Sequence, residues 1–278
     1  MAQQDGARHA LVLGSGGVAG TAWETGLLAG AAEAGVDLAD ADVVLGTSAG
    51  STVAAQITGT VPLADLYRAQ VEGTGAPEPV IDVDLAALMT EIQAAAEYEP
   101  DPESALRAIG RIALEQDRVP QRERRRLIEA RLADRVWPER TALLVAAVSA
   151  TSGRLRVFDR DAGVDLVDAV AASCAIPRVW PAVTIGDDRY MDGGTRSATN
   201  EDALAGFAPA VTVVLDVLAL DEGVHVDRDA GRTRALIAPD ARSRAALADL
   251  LDPGARRAAA EAGRDQGLAI AAQLPELR

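Results

Sequence analysis

Short apolar runs alternate with longer mixed stretches along this chain. Residues 10–13, Ala-Leu-Val-Leu, form an unbroken apolar run and predict a buried strand. The period then changes. Over 21–35, Trp23 and Leu27, then Leu28 and Ala31, recur at helical spacing, and Gly35 is a natural stop. DVVLG, 42–46, is a second apolar run, and SAGSTVAAQITG after it suits a helix. Strand, helix, strand, helix in such quick succession predicts a parallel sheet with right-handed crossovers.

Residues 61–140 break the rhythm. They are rich in Ala, Glu and Arg, carry several prolines and read as mostly helical: an insertion over one face of the sheet within a single domain, 1–278. Within it RERRR, 122–126, reads as a solvated helix face. ALLVAAVSA (142–150) and RLRVFD (154–159) return to strand, joined by TSG. DLVDAVAASCAIP predicts a short helix that ends at Pro177, and AVTIGDDRYMDGG a hairpin with a Gly-Asp-Asp turn. AVTVVLDVL is another buried strand, and 240–278 an Arg- and Ala-rich helical segment.

Composition narrows the possible functions. The chain is 49% hydrophobic but only 3% aromatic, so Ala, Val and Leu must build the core. A net charge of −15 argues against nucleic acid and against electrostatic adsorption to anionic headgroups. One cysteine, Cys174, excludes an internal disulfide and a cysteine-rich metal site. With His9 and His225 the only imidazoles, a zinc site is not expected. No signal-peptide pattern and no membrane-length apolar stretch is present, so the expected location is cytoplasmic.

Two glycine-rich turns hold the candidate chemistry. Gly14-Ser15-Gly16-Gly17-Val18-Ala19-Gly20 follows the first strand, where free backbone N–H groups could cradle a pyrophosphate or an oxyanion. Gly46-Thr47-Ser48-Ala49-Gly50 is G-x-S-x-G between a strand and a helix, the context of a nucleophile elbow. Gly46, Ala49 and Gly50 are the small neighbours such a tight turn needs. Adjacent parallel strands would set Gly16 and Gly17 facing Ser48, as donors for a tetrahedral oxyanion. A dinucleotide site would instead require an acid at the end of the second strand, and Asp42 lies at its start. Two bases stay open for the serine. His225, in DEGVHVDRD, fits the chain order of an α/β-hydrolase triad, though it reads as a surface-loop residue. Asp192, in YMDGG, has glycines that let the backbone turn and present its carboxylate.

Taken together, these motifs resemble the patatin-like phospholipase family: a glycine loop after the first strand, a G-x-S-x-G elbow about thirty residues on, and D-G-G/A. ASCAIPRVWPAV, 172–183, is similar to the family's A-S-x-A-x-P segment. The resemblance spans about residues 10 to 200. It implies a three-layer α/β/α fold with a mainly parallel sheet, and hydrolysis of acyl esters of lipids by a Ser–Asp dyad with no histidine. Ser48 matches the nucleophile, Asp192 the general base, and Gly16 and Gly17 the oxyanion glycines. Such chemistry needs no metal or organic cofactor, and its lipid substrate implies transient contact with a membrane or micelle. The loop departs from the family's G-G-G-x-R/K-G: Ser15 stands for a glycine and Ala19 for the basic residue. Three other readings remain: a His225-dependent esterase, a nucleotide-binding module using residues 14–20, and a member that binds lipid without turning it over.

Overall fold

The computed structural model describes residues 8–74, 79, 83–115 and 119–274. The first half opens with strand β1 (His9–Leu13), helix α1 (Gly17–Glu33), strand β2 (Val43–Thr47) and helix α2 (Ala49–Ile57). Four helices follow: α3 (Leu63–Glu72), α4 (Leu85–Ala96), α5 (Pro102–Leu114) and α6 (Gln121–Arg131). Then come β3 (Ala142–Ser149), β4 (Leu155–Phe158), α7 (Leu166–Ser173), β5 (Val183–Ile185), β6 (Asp188–Asp192) and β7 (Val211–Leu215). A hairpin of β8 (Gly223–Asp229) and β9 (Arg232–Ala238) leads to α8 (Ala241–Ala246) and α9 (Arg256–Ile270). Parts of the predicted helical stretches, at 75–78, 80–82, 116–118 and 275–278, lie outside the described residues.

The sheet runs β5-β6-β3-β2-β1-β7-β9-β8, with β4 paired to β3. Its centre, β3-β2-β1-β7-β9, is parallel, and its margins are antiparallel. Alternate residues of the central strands face opposite layers. Leu11, Leu13, Val44 and Val145 join the large core under α1, α2, α7 and α9. Ala10, Val12, Val43, Leu45 and Leu144 face the other way, towards Leu204 and Phe207. This is a three-layer α/β/α arrangement. Fully buried Trp23 donates from Nε1 to Gln266 Oε1 at 3.2 Å. That amide also takes Ser243 Oγ (2.8 Å) and gives its Nε2 to the Ala238 carbonyl (2.7 Å), so one buried polar group ties α1 and α9 to α8 and β9.

Residues 61–140 do not lie over one face, as the sequence suggests. Ile128 of α6 joins the large core, whereas Leu106, Ile109 and Ala113 of α5 pack on Val148 and Met191, on the opposite face. The segment therefore embraces the sheet from both sides. The β8–β9 hairpin is a second difference: the stretch expected to be a charged loop is a strand at the sheet margin.

The pairing along β3 positions the site. Its residues 145–148 pair with β4, and on the other side 142–146 pair with β2. β6 pairs with 147–149, where the β4 side is taken at 147 and 148. β2 and β6 thus lie end to end along one edge of β3. Thr47 pairs with Ala146 and Asp192 with Ala147, so the chain leaves the sheet at two consecutive rungs.

Candidate active site

Ser48 is the turn between β2 and α2, at φ 54° and ψ −116°, a left-handed backbone that a serine adopts only under constraint. The constraint is visible. Its N–H donates to Ser173 Oγ (2.9 Å), which itself donates to the Ala146 carbonyl (2.6 Å). Its carbonyl accepts from Ser51 Oγ (2.6 Å) and Cys174 Sγ (3.1 Å). Burial pushes the Cys174 thiol up, so it stays protonated and serves as that donor. Gly50 is required for space: a Cβ there would run into the Leu13 carbonyl. Its N–H donates to the Gly14 carbonyl at 2.9 Å, which clips the elbow to the glycine loop.

Asp192 ends β6. Its N–H donates to the Ala175 carbonyl (2.9 Å), and Thr195 Oγ donates to its carbonyl (2.7 Å). The carboxylate is buried and accepts Ser48 Oγ on Oδ2 at 2.7 Å and the Gly194 N–H on Oδ1 at 2.8 Å. Burial drives its pKa up to about 6. The hydrogen bonds from Ser48 and Gly194 and the Arg124 charge pull the other way without overcoming it. A hydroxyl donating to a carboxyl of that basicity has a proton acceptor in place near neutral pH.

Gly16 and Gly17 enter α1, with Gly17 at φ 61°. Among the described residues, the N–H groups of Gly16, Gly17 and Val18 make no hydrogen bond, and they stand at the positive end of a 17-residue helix. Gly17, Val18 and Ser48 line one small pocket. Ser15, where the resemblance expects glycine, sets its Oγ against Gly194. Ala19 is wholly buried and donates its N–H to the Leu250 carbonyl.

The two histidines are elsewhere. His9 begins β1, and the parallel β1–β2 register puts it at the end of the sheet away from Ser48. His225 is on exposed β8 rather than in a loop. It lies four strand spacings from β2, about 19 Å, so it does not reach Ser48. Asp42 accepts the N–H groups of Arg8 and His9 (2.7 and 3.0 Å) at the far end of the sheet. The end of β2, where a ribose acid would stand, carries Ser48. Among the described residues no cluster of His, Cys, Asp and Glu could hold a metal.

RERRR is not a solvated face throughout. Arg122 and Arg126 are exposed, but Arg124 is buried, with its guanidinium 3.9 Å from the centre of the Trp180 ring and Nη2 donating to the Cys174 carbonyl at 3.3 Å. Tryptophan's face and a carbonyl solvate the cation. Arg124 is a site residue that the sequence reading missed. Ser173 is another, though it lies within the quoted ASCAIP segment.

The fold and this turn together define an α/β protein that presents a strained serine beside a buried carboxyl group. The patatin-like phospholipase family model matches residues 11–205, and the chain belongs to that family. Among solved structures it is similar to human GIVD cytosolic phospholipase A2, with 8% identity and a TM-score of 0.51 over 98% of this chain and 62% of that one. It is also similar to VipD from Legionella pneumophila (13% identity, TM-score 0.41, 78% of this chain and 51% of that one). A third is the type III effector protein ExoU (15% identity, TM-score 0.39, 96% and 53%). The chain thus spans less than two thirds of the length of each. No curated protein matches it. Among the described residues, no helix is long and apolar enough to cross a membrane.

Proposed function

We propose that this protein is a serine hydrolase of lipid acyl esters that works through a Ser48–Asp192 dyad. The observation that carries the reading is the 2.7 Å hydrogen bond from Ser48 Oγ to buried Asp192 Oδ2, in a chain of the patatin-like phospholipase family. Asp192 takes the serine proton as Ser48 Oγ attacks the ester carbonyl. The carbonyl oxygen, now carrying the negative charge, sits against the N–H groups of Gly16 and Gly17 at the positive end of α1. Collapse of the tetrahedral intermediate expels the alcohol, which takes the proton from Asp192, and leaves an acyl-enzyme. Water then gives a proton to Asp192 as it attacks the acyl carbonyl; collapse of the second tetrahedral intermediate breaks the bond to Ser48 Oγ, which takes that proton back from Asp192, and the fatty acid is released. No step calls on a metal or organic cofactor.

A fluorophosphonate probe tests the nucleophile without a guess at the substrate. The expected result is one labelled peptide that carries Ser48; labelling of another serine, or none, overturns the reading.

A further inference from the structure

Helix α1 buries a titratable group that the dyad does not use. Glu24 is wholly buried, and neither of its carboxyl oxygens has a hydrogen-bond partner among the described residues. It stands behind the glycine loop. Gly16, Gly20 and Glu24 follow one another at four-residue spacing along one face of α1. A Cβ on Gly16 would meet both Val217 methyl groups at 2.9 Å, and one on Gly20 would meet them at 3.4 and 3.5 Å, so this face lies on the turn after β7. Helical side chains lean towards the N-terminus, and the Glu24 carboxyl group accordingly faces the Gly14 N–H and the Asp216 carboxyl group. Gly14 N–H itself donates to the Leu215 carbonyl at 3.0 Å. The other charged groups packed nearby are engaged elsewhere. Arg234 of β9 is held by Glu201 at 2.8 Å, Arg244 of α8 donates to the carbonyls of Ala219, Leu220 and Asp221, and Arg264 of α9 pairs with Glu33. Helix α2 carries no titratable side chain.

We propose that Glu24 is a positioning residue for the loop that holds the oxyanion: as a neutral acid it seats Gly14 from behind, and as a carboxylate it would set a negative charge behind the Gly16 and Gly17 N–H groups. The neutral acid suits both of its neighbours. Its C=O offers an acceptor to the Gly14 N–H, and its O–H offers a donor to Asp216. A carboxylate keeps only the first and meets Asp216 as a like charge. Burial holds the proton on, well above the usual carboxylate range; the Gly14 N–H works against this and the Asp216 charge with it. Gly14 is well placed to pass on a disturbance. Its carbonyl accepts the Gly50 N–H at the elbow (2.9 Å), and Gly16 and Gly17 follow it directly in the loop. A unit negative charge about 10 Å from the oxyanion would cost roughly tenfold in rate at an effective dielectric near 20. The site then has two titrating limits: Asp192 must have lost its proton and Glu24 must have kept it.

The inference rests on the acyl-hydrolase reading, and the experiment separates the two. With a monoacylglycerol as substrate, wild-type kcat should fall at both ends of the pH range. Glu24→Gln has no acid to ionise there, so it should lose the alkaline fall and keep the acid one. Glu24→Met fills a similar space without oxygen or nitrogen. Its kcat should drop roughly tenfold or more with KM little changed, and Glu24→Gln should recover most of that loss. A wild type with no alkaline fall, a fall that persists in Glu24→Gln, or a Glu24→Met protein with wild-type kcat overturns the inference. Infrared spectroscopy of the wild type reads the proton without turnover and without a variant that must fold. At pH 8 it should show the C=O band of a protonated carboxylic acid, and carbon-13 labelling of the glutamate carboxyl groups should shift that band. Absence of a shifting band overturns the neutral acid. If the wild type cleaves no ester and Ser48 is not labelled, it is the hydrolase reading that fails, and the role of Glu24 falls with it.

Discussion

Ser48 Oγ donates to Asp192 Oδ2 at 2.7 Å across 144 residues of sequence, with both side chains buried. Removal of either end should stop the chemistry in different ways. Ser48→Ala should abolish hydrolysis of a p-nitrophenyl ester in a protein that still folds. Asp192→Asn keeps the shape and loses the acceptor, so kcat should fall by about 10²–10⁴. His225→Ala, far across the sheet, should cost little. An active Asp192→Asn beside an inactive His225→Ala would refute the dyad.

The raised pKa of Asp192 predicts two pH effects. Proton acceptance requires the carboxylate, so kcat/KM should decline as pH falls through about 6. Stability should run the other way. A carboxyl group whose folded pKa lies above its unfolded one binds its proton more tightly in the native state. Its stabilisation is complete below about pH 4 and is lost as pH rises through about 6. Asp192→Asn should therefore stabilise the fold above pH 6, by on the order of 3 kcal/mol or less, and do little near pH 4. Denaturant titrations at pH 4, 5, 7 and 8 would show it; equal effects at all four would count against a perturbed carboxyl.

Gly50 fixes the elbow against the glycine loop. Gly50→Ala would force its methyl group into the Leu13 carbonyl, next to the bond from Gly50 N–H to the Gly14 carbonyl. A loss of about 2–3 kcal/mol or more is expected, with activity falling alongside. A wild-type denaturation midpoint and rate would show that the turn relaxes at no cost.

Much of the site is legible in the chain because its constraints are local. Gly46 and Gly50 flank Ser48 within one turn, and Asp192 stands next to the glycines that let it turn. The role of Arg124 is not local. Its partner Trp180 is on a distant segment, and an arginine in RERRR looks like any other until that ring is brought beneath it. The β8–β9 hairpin was hidden for two reasons. β8 is exposed along most of its length, so it shows no buried alternation, and its turn uses Ala230 at φ 46° before Gly231, not the Asn-Gly or Asp-Gly pair that marks such turns. The folding of 61–140 around both faces of the sheet was equally out of reach, since a helix that packs on either face has the same periodicity.

For the proposed dyad, the adjacent rungs of β3 amount to a built-in proofreader. Ser48 and Asp192 are aligned by ladder hydrogen bonds, on either side of the step from Ala146 to Ala147. A slip of one residue would carry the carboxylate about 3.3 Å along the ladder and out of reach of the hydroxyl. A chain that has zipped only its first half holds a serine with no acceptor, and stays dormant until a contact spanning half its length has closed. Recovery of esterase activity during refolding would thus time the docking of β6, and not the collapse that comes before it.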